Sequence, residues 1–218
     1  MNLYIVSMSV CFSILLAYPL FGAEPPPFSP QEYKISIKAD DPQLQKDPDK
    51  LVGDSYVYVV KGQIFAQPVK IEPVNEDQNS FQNPLKAIGR FLAVAPTANK
   101  DAILKLYDPE AIPYITKTFL SDPTISARWT TALSQFQGFN AKAIFQVADR
   151  LWMVFGYPTM NGKTDKYLMP FGLKEDKGSF MLTSSTGLPP KDFFNIQAVL
   201  GGMKGIEGLT YQVDFPSH

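Results

Sequence analysis

Apolar and polar positions alternate with three different spacings along this chain. From Leu3 to Ala23 no residue is charged and most are apolar. After a proline-rich stretch, Tyr33-Lys-Ile-Ser-Ile-Lys38 alternates with period two, which predicts a short edge strand. Asp40 to Lys50 is polar with two Asp-Pro steps and reads as a loop. Ser55 to Val60 (SYVYVV) is β-branched and aromatic, as a strand should be. Lys61-Gly62 can turn it and Gln63 to Val74 can return. Pro68 and Pro73 confine that return to an edge, so an N-terminal β-hairpin is expected.

The middle of the chain switches to helical spacing. Asn83-Pro84, Asp108-Pro109 and Asp122-Pro123 repeat one device: a short polar side chain accepts from orphan helix amides, and proline fills the first helical position. Leu85, Ile88, Phe91 and Leu92 follow the first. Ile125, Trp129, Leu133 and Phe136 follow the third as a stripe closed by Gly138. Shorter helices are expected around Asn99 to Tyr107 and Ile112 to Leu120.

From Phe139 the period returns to two. Phe139 to Val147, Leu151 to Tyr157, Lys166 to Leu173 and Ser179 to Thr183 predict a four-strand meander. Its turns fall at Asp149-Arg150, Asn161-Gly162 and Glu175 to Gly178. Pro158 and Pro170 suggest interruptions. A buried helix from about Pro190 to Leu200 carries Phe193, Phe194, Ile196, Val199 and Leu200. Gly201 to Gly208 reads as a flexible loop. Leu209 to Phe215 alternates strictly, a half-buried strand with one solvated face. Helices followed by strands argue an α+β fold: short helices packed on a curved antiparallel sheet, built from the meander and a C-terminal strand, with the N-terminal hairpin added.

Composition narrows the chemistry. The only Cys is Cys11, inside the first apolar run, and the only His is His218, the last residue. Residues 1–23 read as a secretory signal, with an uncleaved anchor as the alternative. The run lacks a basic start, and a cut after Ala23 or Gly22 places Phe21 or Leu20 where a small residue is expected. Val10 before Cys11 argues against lipid attachment. If the run is removed, the mature chain is free of cysteine. Cys nucleophiles, Ser-His-Asp triads, Cys/His zinc sites and disulfides are then excluded, and no metal or cofactor is expected. Residues 24–30 (EPPPFSP) are expected to form an extended, solvated spacer. Residues 31–218 are expected to fold as one α+β domain, large enough to be held by its core alone. The net charge of -1, with both signs interspersed, gives no reason to expect nucleic acid. A membrane would be met only through an uncleaved N-terminal segment. The expected localisation is export, periplasmic or secreted.

Helices followed by a long meander resemble the cone-shaped fold of the nuclear transport factor two-like (SnoaL-like) superfamily, over about Phe81 to Thr183. Asn99-Lys-Asp-Ala-Ile-Leu-Lys-Leu-Tyr-Asp108 is similar to its early helix, which often ends in a Leu-Tyr-polar step. The resemblance implies a curved sheet enclosing an apolar pocket, used for small-molecule binding, isomerase-like chemistry or protein docking. The family's strand between its second and third helices has no clear counterpart. Its acid–base residues match no position, so no catalytic residue is assigned.

The remaining polar residues have structural explanations. Asp108, Asp122, Asp149, Glu175, Asp176, Asp192 and Asp214 read as caps, turns or the wet face of a strand. A glycosidase would need two of them across a cleft. Ser184-Ser185-Thr186-Gly187 lacks the elbow or Ser-x-x-Lys context of a nucleophile, and Gly201 to Gly208 lacks that of a phosphate loop. The aromatic residues say more. Leu151 to Tyr157 is apolar on both faces, so it is covered twice or one face lines a pocket. Trp152, Trp129 and Tyr157 are the candidate ligand-binding residues. The expected function is an exported, non-enzymatic domain binding a small hydrophobic ligand or a protein partner in an envelope-associated role. The alternative is a cone-fold isomerase or hydratase using a buried carboxylate and a Tyr. A third possibility is a purely structural subunit, which would show a large apolar patch.

Overall fold

Strand β1 (Gln31–Lys38) buries Tyr33, Ile35 and Ile37 and leaves Glu32 and Lys34 in solvent. A computed structural model describes this strand and the rest of residues 25–40, 44–75, 82–184, 195–198, 200 and 211–214. Residues 1–23 with Cys11, together with Ser185 to Gly187, Asp192, Gly201 to Gly208 and His218, lie outside the described residues. β1 is not the predicted edge strand. It pairs antiparallel with β3 on one side and β9 on the other. Its lysines and serine mark a solvated face, whereas edge status depends on backbone pairing, which side-chain alternation does not report.

The predicted turn at Lys61-Gly62 is also absent. A two-residue strand, β2 (Leu51–Val52), turns through Gly53 (φ 63°) into β3 (Ser55–Ile71), which runs on through Gly62 without reversing. β1 pairs with the first half of β3 and β4 with the second. Gly62 serves close approach: a Cβ there would collide with the Ile144 carbonyl oxygen of β4. Pro68 sits where the β3–β4 register shifts between Ile64 and Val69, one of the few places a sheet interior accepts proline.

The helices follow their caps. Asn83 Oδ1 accepts from the Leu85 amide at 2.9 Å and opens α1 (Pro84–Val94), which buries Leu85, Ile88, Phe91 and Leu92. Asn99 caps α2 (Lys100–Leu104). α3 (Ile112–Ile115) continues into a π-helical turn (Thr116–Leu120). Asp122 accepts from both Thr124 and Ile125 amides and opens α4 (Pro123–Ser134). Asp108-Pro109 departs from the pattern: Asp108 Oδ1 takes the Glu110 amide at 3.1 Å and closes a turn, and no helix starts at Pro109. Gly138 does not close α4, because the chain is already extended at Phe136, the first residue of β4 (Phe136–Ala148).

The meander runs β4, β5 (Leu151–Met160), β6 (Lys163–Thr164), β7 (Met169–Asp176) and β8 (Ser179–Leu182). Its turns carry positive φ at Arg150, at Asn161 and Gly162, and at Lys177 and Gly178. The third long strand starts at Met169 and not at Lys166, because β6 first returns briefly against the end of β5. β9 (Tyr211–Asp214) lies antiparallel beside β1, far from the meander. The curved sheet therefore has the order β8-β7-β5-β4-β3-β1-β9, with β2 and β6 paired off this path. The fold is α+β, and each of its strand pairs is antiparallel.

Both faces of the sheet are covered at β4 and β5, whereas at β1 and the first half of β3 the helix-side face, with Lys34 and Val59, is open to solvent. The helix-side face holds Phe139, Ile144, Trp152, Val154, Phe171 and Leu173 under the helices between residues 84 and 134. The second holds Tyr33, Ile35, Tyr58, Phe145, Met153 and Phe155 beneath Leu44, Leu168 and the helical residues Ile196 and Ala198. The two-sided apolar character of β5 follows from this: alternate residues enter two separate cores. Of the predicted helix near Pro190 to Leu200, residues 195–198 and 200 are described, and they are helical. Among the described residues no helix is long and apolar enough to cross a membrane.

Candidate functional site

Trp152 is the best-anchored of the three candidate residues. It stands on β5 between Gln146 of β4 and Leu173 of β7, and 2 % of its surface is exposed. Its indole Nε1–H donates to Glu175 Oε2 at 2.9 Å, which satisfies a buried donor and fixes the ring. Glu175, expected to sit in a turn, lies in β7 and performs this anchoring.

The cover over that ring comes from an unexpected place. Phe28, from the proline-rich stretch, meets Trp152 edge to face with centroids 5.2 Å apart and meets Phe180 at 5.4 Å. Residues 25–30 are thus not a solvated spacer. Asn83 Nδ2 donates to the Pro26 carbonyl at 2.9 Å, and Gln63 Nε2 donates to the Pro27 carbonyl at 3.3 Å. Gln63 Oε1 accepts the Ser29 amide at 3.2 Å, so one side-chain amide grips two points of the backbone. Prolines offer carbonyls but no N–H, and side-chain amides are suited to read them. Lys61 Nζ stands 6.0 Å from the Trp152 ring centroid, at the outer limit of a cation–π contact.

The other two candidates are placed elsewhere. Trp129 lies half-buried on α4, stacked on Phe119 of the π-helical turn with centroids 5.9 Å apart. Neighbouring Ile125 is 44 % exposed, so the α4 stripe is only partly covered. Tyr157 projects from the opposite face of β5 to Trp152, against the second core, and its hydroxyl lies 3.5 Å from the Leu200 carbonyl as donor. Partial burial raises its pKa, because the ionised ring would lose solvent. Trp152 and Tyr157 cannot line one cavity on one face of the sheet. Trp129 shares the helix-side core with Trp152.

Two polar arrangements had no signal in the sequence. Asn195, with no exposed surface, joins the second core's cover to the sheet. Its Nδ2 donates to the Gln45 carbonyl at 2.9 Å and the Tyr58 hydroxyl at 2.8 Å, while its Oδ1 accepts the Gln45 amide at 2.9 Å. The second arrangement centres on Asp108, 4 % exposed. The chain around Tyr107 forms a parallel bridge to Leu182, with the Asp108 amide donating to the Leu182 carbonyl at 2.8 Å. Lys174 Nζ lies 3.6 Å from Asp108 Oδ1 and 2.5 Å from Glu110 Oε2. The Glu110 hydrogen bond and the Asp108 charge raise the Lys174 pKa against its partial desolvation. Asp108 Oδ2 is buried without a hydrogen-bond partner among the described residues. Tyr107, packed against the helix-side core, has its pKa pushed up to about 12 by desolvation.

Of the other described carboxylates expected in caps and turns, Asp122 caps α4 and Asp149 lies in the β4–β5 turn, whereas exposed Asp176, expected in a turn, is the last residue of β7 and pairs with Arg150. Among the described residues no group of three or more His, Cys, Asp or Glu could hold a metal ion. No family model, no curated protein and no solved structure matches this chain.

Proposed function

We propose that this chain is an exported binding domain whose recognition site is the aromatic floor formed by Trp152 and Phe180, acting in an envelope-associated role. One observation carries the reading. The floor is rigid, with its indole tied to Glu175, while its roof is half-buried Phe28 on a short strap held by side-chain amides. A fixed aromatic surface under a lightly held cover suits an apolar ligand or the apolar side chain of a partner. Export rests on the uncharged run from Leu3 to Ala23. The likeness to the nuclear transport factor two-like superfamily is part of this proposal. Helices over one face of a meander support it, as does the bridge at Tyr107, between α2 and α3 where that family places a strand.

Titration of the full chain with an anilinonaphthalene sulfonate dye tests the reading. Phe28→Ala, still folded by circular dichroism, is expected to bind the dye saturably and at least tenfold more tightly than the parent chain. Equal, unsaturable dye response in both would remove the Trp152 floor as a site.

A second reading, a cone-fold isomerase or hydratase, is supported by Asp108: a buried carboxylate with one unpartnered oxygen beside a desolvated Tyr107. Against it, Lys174 holds Asp108 in an ion pair, and Tyr107 faces the helix-side core. Asp108→Asn would abolish turnover under this reading and leave dye binding unchanged.

A further inference from the structure

Residues 25–30 occupy the Trp152 floor in the manner of a bound peptide. They form no helix or strand, and they carry only two backbone N–H groups, on Phe28 and Ser29. Each contact they make reads a feature of that chemistry. Asn83 and Gln63 donate to consecutive proline carbonyls, Gln63 also accepts the one N–H after the aromatic residue, and Phe28 enters the angle between Trp152 and Phe180. Proline-rich segments are favoured ligands for aromatic grooves because their backbone is already stiff and loses little entropy on docking.

Two side chains of the receptor half are held independently of the strap. The Asn83 amide is oriented by capping α1 through Oδ1, which leaves Nδ2 directed at the strap. Trp152 is locked by Glu175. The strap itself is the loosely held part: Pro27 and Ser29 are exposed, Phe28 is half-buried, and both Gln63 contacts lie at the surface. Gln31, the first residue of β1, follows Pro30 directly, so the strap is tethered within reach of the groove with no linker between.

We propose that the groove of Asn83, Gln63, Trp152 and Phe180 is a peptide-binding site for a proline-rich segment of the form Pro-Pro-Phe-x, held in cis by this chain's own residues 25–30 and taken in trans by a partner protein presenting the same chemistry. The inference rests on the Trp152 floor being a binding site and adds the ligand class and its self-occupation. A tethered occupant raises the concentration that any competing segment must reach, so trans binding is weak until the strap is displaced.

The test uses the full chain and the synthetic heptapeptide EPPPFSP, titrated by calorimetry. Phe28→Ala is expected to bind it saturably and at least tenfold more tightly than the parent, and EPPPASP is expected to bind Phe28→Ala at least tenfold more weakly. Hydrogen exchange of the parent chain supplies a measurement that needs no variant: millimolar EPPPFSP should speed exchange of the Ser29 amide. Folded Phe28→Ala that binds the dye but not the peptide overturns this inference and leaves the apolar site standing. Loss of both overturns the two together. If Phe28→Ala unfolds, an unchanged Ser29 exchange rate overturns the inference by itself. A parent chain that is dimeric by light scattering, with a monomeric Phe28→Ala, would make a second copy the occupant and overturn the partner assignment.

Discussion

At β4 and β5 the two faces of the sheet are both buried, by different means. The helix-side face is covered chiefly by residues 84–134, where α1, α2 and α4 open on side-chain caps, with Phe28 of the strap added over Trp152. The opposite face is covered by pieces far apart in the chain, Leu44, Leu168, residues 195–198 and Leu200, with Asn195 tied through its amide to Gln45 and Tyr58. Many small increments of apolar burial can cover a surface, and so can fewer apolar contacts with a few polar pins, of which the Asn195 amide is the most buried. The second solution concentrates its risk, because a buried amide is useful only while every bond is made.

Three measurements sharpen or break this contrast. The largest effect is expected from Phe139→Ala on the helix side and Phe155→Ala on the other, both without exposed surface. Each should cost about 3–5 kcal/mol in denaturant unfolding. A cost below about 1 kcal/mol for Phe155 alone would show the second core to be loosely packed. Next, Asn195→Ala should cost about 2–3 kcal/mol, since it removes three hydrogen bonds of a side chain with no exposed surface, two to the Gln45 backbone and one to the Tyr58 hydroxyl. Its signature is local: hydrogen exchange at Gln45 should accelerate while the amides of α1 stay protected. Uniform acceleration would mean that the two covers open as one unit.

The smallest effect is a pH dependence confined to the helix side. Tyr107 is held neutral by burial, with a folded pKa of about 12 against 10.0 for the exposed group. Between these values the unfolded chain has released the proton and the folded chain has kept it. Stability is therefore fully present below pH 10 and falls as pH rises towards 12, by on the order of 2 kcal/mol. Lys174, its pKa raised chiefly by Glu110, loses its contribution in the same direction. Tyr107→Phe should flatten most of this alkaline slope in thermal unfolding.

These differences also decide what was legible in the residues. Asn83 and Asp122 act at short range, as N-caps bonding amides two or three residues on, so their helices could be read directly. Asn161-Gly162 and Lys177-Gly178 likewise declare turns through local φ. Gly62 has the same local appearance and a different cause, the approach of a strand some eighty residues later, so a turn was expected where a strand continues. Pro25 to Pro30 resembles a solvated spacer until Gln63 and Asn83 are brought to it. Of the candidate residues, the apolar two-faced β5 carrying Trp152 and Tyr157 was legible by alternation, but alternation alone places those two residues on opposite faces. The roles of Glu175, Asn195 and Asp108 depend on contacts distant in sequence and had no local signature.

The position of β1 between β3 and β9 has a consequence for how this chain is made. Its inner neighbour is synthesised almost at once, but the strand that pairs with Lys34 to Ile37 begins at Tyr211, after every other described strand of the sheet. Until β9 arrives, one backbone edge of β1 stays open to whichever strand comes first. Closure of the sheet therefore waits until the other described strands have been made, and the interval before it is when a chaperone holding that edge would matter most.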